Sequence, residues 1–141
     1  MNWVQKFSGM AVRKMPKVIS PKGHAVADYV MAAGAFAAAV AFYRSGRNMA
    51  GTGALLAGIA ETTNALITDY PGGVFNLISF PMHGRMDLGQ ASMVASLPGL
   101  LGFAGEPEGK FFYAHGAAAA AVTAMTDFGG AGAQEQVLAG R

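Results

Sequence analysis

The sequence predicts an all-α fold, a polytopic membrane protein with four transmembrane helices from two duplicated helical hairpins, preceded by an N-terminal interfacial amphipathic helix. Three observations support this prediction. Of the 141 residues, 52% are hydrophobic and 13% are charged, whereas soluble domains carry about 25% charged residues. Four apolar stretches each approach the ~20 residues needed to cross a bilayer. Polar residues recur at matching points of the two halves, which indicates an internal repeat.

Residues 1–23 are predicted to form a basic amphipathic surface segment. Trp3, Phe7 and Met10 share one helical face, and the basic side chains lie largely off it, as in helices on anionic membrane surfaces. With four spans, both termini and the central loop lie on one side, which carries seven of the ten Lys and Arg residues. The positive-inside rule therefore predicts that both termini are cytoplasmic.

The transmembrane domain is predicted over residues 24–128, with repeat 1 at about 24–73, repeat 2 at about 83–130 and a short C-terminal tail at 129–141. Ala and Gly dominate its helices, as expected where helix backbones pack closely in a membrane. The predicted spans run from His24 to Tyr43, Met49 to Thr68, Arg85 to Gly105 and Phe111 to Asp127.

Six polar side chains are predicted to converge near the cytoplasmic face as a metal site. Spans 1 and 3 begin on that side, spans 2 and 4 end there, and residues i and i+4 share a helix face. A helix N-terminus disfavours a cation, so the two His are expected to stay neutral and to keep a lone pair. Imidazoles and carboxylates together are ligands of a divalent transition metal. The predicted ligands are His24, Asp28, Asp69, His83, Asp87 and Asp127.

Other interpretations of these residues stay open at the level of sequence. Coupled carboxylates and imidazoles can relay protons, so a proton or ion pathway is one of them. Haem ligated by His24 and His83 is another, although a haem site needs no repeated Asp. In a non-catalytic structural or assembly subunit, each His would bond its Asp or the opposing Thr-Asp turn and lock helices to loops.

Two further polar residues lie deeper in the predicted bundle. Glu61 is about 12 Å deeper than Asp69 at 1.5 Å per residue. Either Glu61 is protonated and hydrogen-bonded to the neighbouring Thr and Asn side chains or to the backbone, or it extends a polar path inward from the His/Asp cluster. His115, near the outer end of the fourth span, is predicted to be a solitary packing or interfacial residue.

The expected partners are the lipid bilayer and, through the Ala/Gly-rich helix faces, other membrane subunits or a second copy. No nucleic-acid partner is predicted, because the basic run flanks a membrane span and lacks a basic-aromatic motif. The chain contains no Cys, which excludes a thiolate metal site.

The third span contains Ser96-Leu97-Pro98-Gly99, and the acid Asp87 lies eleven residues before the Pro. With the duplicated four-helix plan, this pattern resembles the SPW-repeat group of small bacterial integral membrane proteins of unknown function. The match covers mainly residues 85–125, and Gly99 stands where that group has Trp. The resemblance implies a four-helix, two-repeat membrane fold and no particular activity. The predicted location is the bacterial inner membrane.

Overall fold

The computed structural model describes residues 15–129, so the predicted amphipathic helix and nearly all of the C-terminal tail lie outside the described residues. Two strands of two residues each, β1 (Thr68–Asp69) and β2 (Ile78–Ser79), pair in parallel between the second and third helices. The all-α prediction is confirmed. Within residues 15–129 the helices are α1 (Pro21–Arg44), α2 (Asn48–Ile67), α3 (Phe80–Leu100) and α4 (Gly109–Met125).

Helices α1 and α3 begin with the same capping arrangement. The hydroxyls of Ser20 and Ser79 each accept a hydrogen bond from the amide three residues further on, at 3.1 and 3.4 Å. Pro21 and Pro81 follow in the first two helical positions, where a missing N–H costs nothing. The cap places the start of α3 five residues before the predicted Arg85, because the cap rather than the first long apolar run defines where a helix starts.

The helices pack most extensively as two hairpins, α1 with α2 and α3 with α4, and α2 contacts α3 between them. At the end of the bundle that holds the two hairpin turns, the Arg47 guanidinium contacts the carboxylates of Glu106 at 3.5 Å and Glu108 at 3.2 Å. Arg47 and Glu106 are each about half exposed, so this ion pair links the two turns with at most about 1 kcal/mol.

Small residues fill the interior of the bundle and let the helices approach closely. Ala35, Ala54 and the ring of Phe112 are fully buried in one core cluster. At Gly116 of α4, a Cβ atom would lie 2.7 Å from the carbonyl oxygen of Ala91 in α3. The high Ala and Gly content is therefore a packing requirement, since larger side chains would push the helices apart.

Backbone pairing closes the opposite end of the bundle. The parallel pair of β1 and β2 sets the start of α3 beside the end of α2. In the same way, the Ile19 amide donates to the Met125 carbonyl at 3.0 Å, and the Asp127 amide donates to the Ile19 carbonyl at 3.1 Å. The start of α1 is thus held beside the end of α4. The starts of two helices and the ends of the other two meet here, as the sequence predicts.

Among the described residues, one helix, Pro21–Arg44, is long and apolar enough to cross a membrane, and 22% of its most apolar window is buried within the chain. Helix α4 has 17 residues, fewer than the ~20 that a full crossing takes. Helix α3 carries Arg85 and Asp87. The arrangement with four spans stays a prediction.

Candidate metal centre

Four of the six predicted ligands meet at the closed end of the bundle. His24, Asp28, His83 and Asp87 each offer one ligand atom, and these atoms all lie within 4.8 Å of one another. The Nε2 atoms of the two imidazoles are 3.0 Å apart. Each Nε2 atom also lies 3.0–3.3 Å from both carboxylates. We call these residues the four-residue cluster.

Helix geometry explains why the four side chains converge. His24 and His83 are each the fourth residue of their helix, and Asp28 and Asp87 follow one turn later on the same face. Both imidazoles are buried, with exposures of 0% and 1%. Because α1 and α3 begin at the same end of the bundle, both His-Asp pairs point at one place from two different helices.

Two buried threonines fix the tautomer of both imidazoles. The Thr126 hydroxyl donates to the carbonyl of Val122 at 2.6 Å, and its oxygen lies 2.8 Å from Nδ1 of His24. The Thr68 hydroxyl likewise donates to the carbonyl of Asn64 at 2.6 Å, and its oxygen lies 2.7 Å from Nδ1 of His83. A hydroxyl has one proton, so each threonine must accept from an Nδ1–H. In each neutral ring, the lone pair is then on Nε2, facing the other ring and the carboxylates.

Hydrogen-bond donors also orient the carboxylates. The Tyr70 hydroxyl donates to Oδ2 of Asp28 at 2.7 Å, and the Asn64 amide donates to Oδ1 of Asp87 at 2.8 Å. Burial and the hydrogen bond to Asp28 raise the pKa of the Tyr70 phenol well above its usual range. Tyr70 therefore keeps its proton and remains a donor. Such outer-shell bonds hold ligands in place and tune them.

Aromatic rings cover the cluster at the end of the bundle. The ring of His24 lies 5.4 Å from the centroids of both Phe80 and Phe128, and the ring of His83 lies 5.1 Å from that of Tyr70. The close packing needs a glycine, because a Cβ atom at Gly84 would lie 2.5 Å from the Phe128 ring. This cover gives the cluster a low-dielectric surrounding on that side.

The cluster has the charge and the spacing of a divalent-metal site. With both imidazoles neutral, as metal binding requires, the two carboxylates leave the cluster two negative charges, which a divalent cation balances. A tetrahedral zinc ion with bonds of about 2.0–2.2 Å holds its ligand atoms roughly 3.3–3.6 Å apart, slightly more than the 3.0–3.3 Å of the observed contacts. Haem does not fit, because its two axial nitrogens lie on opposite faces of the macrocycle, whereas these Nε2 atoms are 3.0 Å apart.

Asp69 and Asp127 are not brought into the cluster, contrary to the sequence prediction. Successive residues of an extended segment point to opposite faces, and in β1 Thr68 is buried while Asp69 is exposed. Asp127, which is half-buried, follows buried Thr126, and its carboxylate accepts from the Gly129 amide at 3.0 Å. The negative helix C-terminus also disfavours a carboxylate beside the buried ends of α2 and α4.

The sequence placed the two threonines near the imidazoles only in the structural interpretation, in which each His bonds the opposing Thr-Asp turn, and it missed the residues that orient the carboxylates. The two threonines had a usable signal, since Thr precedes Asp at both repeated tails. Asn64 and Tyr70 have no such signal, because their equivalents in the second half are Val122 and Phe128. Only the packed structure shows that these two side chains reach Asp87 and Asp28.

Glu61 and His115 pair with each other deeper in the bundle. Nε2 of His115 lies 2.5 Å from Oε1 of Glu61, and the two side chains are 7% and 12% exposed. The prediction of a solitary His115 is wrong. The hydroxyls of Thr62 and Thr63 do not contact Glu61, because they donate to carbonyls of their own helix. The Asn64 amide donates to Asp87. The hydrogen-bond partner of Glu61 is therefore His115 of α4.

Comparisons with protein-family models, with curated proteins and with solved structures find no significant match to this chain. The resemblance to the SPW-repeat group stays a prediction.

Proposed function

We propose that this chain binds one divalent transition metal ion through His24, Asp28, His83 and Asp87. The observation that carries the proposal is the convergence of four ligand atoms within 4.8 Å of one another. Mixed nitrogen and oxygen ligands suit zinc, iron, manganese and cobalt. The metal would join the two hairpins, because each hairpin supplies one imidazole and one carboxylate.

The outer hydrogen bonds support the proposal. With Nδ1–H donated to Thr68 and Thr126, two neutral imidazoles would direct their Nε2 lone pairs at each other and at two carboxylates. The two Nε2 atoms lie 3.0 Å apart, and each lies 3.0–3.3 Å from an oxygen of both carboxylates; such electron-rich atoms repel one another unless a cation or additional protons lie between them. A single divalent ion satisfies all four at once.

The second candidate is a non-catalytic structural or assembly subunit in which the imidazoles lock helices together. The specific support is that His24 in α1 bonds Thr126 at the end of α4, and His83 in α3 bonds Thr68 at the end of α2. In this case protonated imidazoles would pair with the carboxylates and no metal would be needed. The hydrogen bonds to threonine use Nδ1 and are present in both candidate functions, whereas the metal would bind Nε2. Whether the protein binds a metal therefore decides between the two functions.

We also propose that the chain lies in the bacterial inner membrane with four spans and with the cluster near the cytoplasmic face. Large apolar side chains are about half exposed or more on every helix, which would place them against lipid. Examples are Val30 at 65%, Leu56 at 52%, Met93 at 57% and Tyr113 at 46%. Ala and Gly at the helix contacts are typical of membrane helix packing. The same faces would also accommodate another membrane subunit or a second copy.

Metal analysis of the detergent-purified protein tests the function. The protein is stripped with a chelator, reloaded with Zn²⁺ by equilibrium dialysis and measured for metal per chain and for thermal stability. We expect one Zn²⁺ per chain and a melting temperature that rises with free Zn²⁺, because an ion that binds the folded state stabilises it. No stoichiometric metal and a melting temperature unaffected by chelator would favour the structural subunit.

A further inference from the structure

We propose that a cavity beside the four-residue cluster is a fifth, exchangeable-ligand position of the metal, and that Glu61, held by His115, selects a small neutral proton donor there, with water as the simplest case. This inference rests on the proposed metal site. It adds a binding position, a ligand class and a positioning residue that the metal ligands alone do not supply.

The cavity adjoins both the cluster and Glu61. Its lining includes three members of the cluster, His24, Asp28 and Asp87, together with Glu61, Gln90 and Thr123. The volume open to the centre of a water-sized sphere is about 20 Å³, and one water needs roughly 10–15 Å³ on that measure. The cavity therefore fits one small molecule, on the side of the cluster away from the aromatic cover.

Glu61 has an unused acceptor at this cavity. Its Oε1 atom contacts Nε2 of His115, whereas Oε2 is buried and has no hydrogen-bond partner among residues 15–129. A buried polar atom without a hydrogen-bond partner lowers the stability of the fold by roughly 1–3 kcal/mol. A hydrogen-bond donor next to Oε2 would remove this cost. A molecule in the cavity that carries an O–H or N–H group would supply this donor.

Charge around the cavity selects against anions. The carboxylates of Asp28 and Asp87 already balance a divalent ion, and the Glu61 carboxylate adds a further negative charge. An anion bound to the metal would face Glu61 across a small cavity, where like charges repel at short distance. A neutral donor would instead bind the metal through its lone pair and donate its proton to Glu61.

Azide binding to the Co²⁺-loaded protein tests this selection. The visible spectrum of Co²⁺ reports a change of ligand, so azide titration gives a dissociation constant. Glu61→Gln keeps the size and the Oε1 acceptor for His115 but removes the charge. We expect azide to bind Glu61→Gln about tenfold more tightly than wild type, or more. Glu106→Gln, the same change at an exposed site, should leave the wild-type affinity unchanged.

Two outcomes separate this inference from the metal proposal. If wild type takes up no stoichiometric Co²⁺, the proposed function itself fails. If wild type and Glu61→Gln both bind one Co²⁺ and their azide affinities are equal, or neither spectrum responds to azide, only the inference about the cavity is overturned.

A measurement on the wild-type chain keeps the inference testable if Glu61→Gln does not fold. The protein is loaded with Mn²⁺ and its EPR spectrum is recorded in ordinary water and in water enriched in oxygen-17. We expect line broadening from one bound water. Equal line widths in the two solvents would overturn the inference.

Discussion

At the scale of single residues, the two nitrogens of each imidazole have different roles. Nδ1 of His24 and of His83 donates to a buried threonine, and Nε2 faces the cluster. The threonine is therefore a positioning residue, since it fixes the ring and its tautomer without touching the ion.

Replacing Thr68 or Thr126 by Val should weaken the metal site without abolishing it. Valine keeps the shape of threonine but leaves Nδ1–H without an acceptor, and loss of such outer-shell bonds lowers metal affinity about 10–100-fold. Competition with a chromophoric chelator measures the affinity of each variant for Zn²⁺. Thr63→Val is the control, because that hydroxyl also donates to its own helix but touches no imidazole. Wild-type affinity in Thr68→Val and Thr126→Val would contradict the assigned role.

The four repeated aspartates should divide into two classes. Asp28→Asn and Asp87→Asn each remove one of the two charges that balance the ion, so we expect loss of stoichiometric metal in equilibrium dialysis. Asp69→Asn and Asp127→Asn are matched controls outside the cluster and should retain one ion per chain. Metal loss in all four variants would restore the larger ligand set predicted from the sequence.

The sequence was sufficient to find the four-residue cluster because helical periodicity relates His24 to Asp28 and His83 to Asp87 directly. It misplaced Asp69 because α2 has ended there, and the period changes from 3.6 to 2 at Thr68. In an extended segment neighbouring side chains point to opposite sides, so Thr68 is buried and Asp69 is exposed. Tyr70 and Asn64 could not be predicted, since their contacts depend on how α2 packs against α1 and α3.

At the scale of elements, the number and type of helices could be predicted from the apolar stretches, whereas the boundaries of α3 could not. The apolar run suggests a helix from Arg85, but the Ser79 cap and Pro81 start it at Phe80. The observed start makes His83 the fourth residue of α3, one helical turn before Asp87.

The close contact between α3 and α4 should make Gly116 intolerant of a side chain. In Gly116→Ala the new methyl would meet the Ala91 carbonyl at 2.7 Å, and overpacking of this kind costs about 1–3 kcal/mol. Gly89→Ala on α3 is the control, since a Cβ atom there has nothing within 4 Å and alanine favours the helix by up to ~1 kcal/mol. Thermal denaturation in one detergent compares them. Equal stability of Gly116→Ala and wild type would show that the helices do not approach so closely.

At the scale of the whole molecule, the four-span proposal predicts the side on which each segment lies. A reporter enzyme that is active only outside the cytoplasm should be inactive when fused at Arg141 and active when inserted at Gly46, in the turn between α1 and α2. An active fusion at Arg141 would contradict the proposed topology. Release of the untagged chain from membranes by an alkaline wash would contradict the membrane location itself.

The central claim is that one ion joins both hairpins, and the two imidazoles offer a double-mutant cycle on it. His24→Ala and His83→Ala would each remove a ligand from the same site. Direct contact between the rings can also couple the two substitutions, because their Nε2 atoms are 3.0 Å apart. The claim is therefore tested by how much the non-additivity of the two stability losses changes when the metal is removed.

The most direct measurement is the free energy of unfolding of wild type, both single variants and the double variant, each with saturating Zn²⁺ and each with chelator. We predict that with Zn²⁺ the double variant is scarcely less stable than either single variant, because the first substitution already removes the ion. With chelator this non-additivity should shrink, since only the contact between the rings remains. Losses that add with Zn²⁺ present, or a coupling that is the same with and without the metal, would contradict the shared ion.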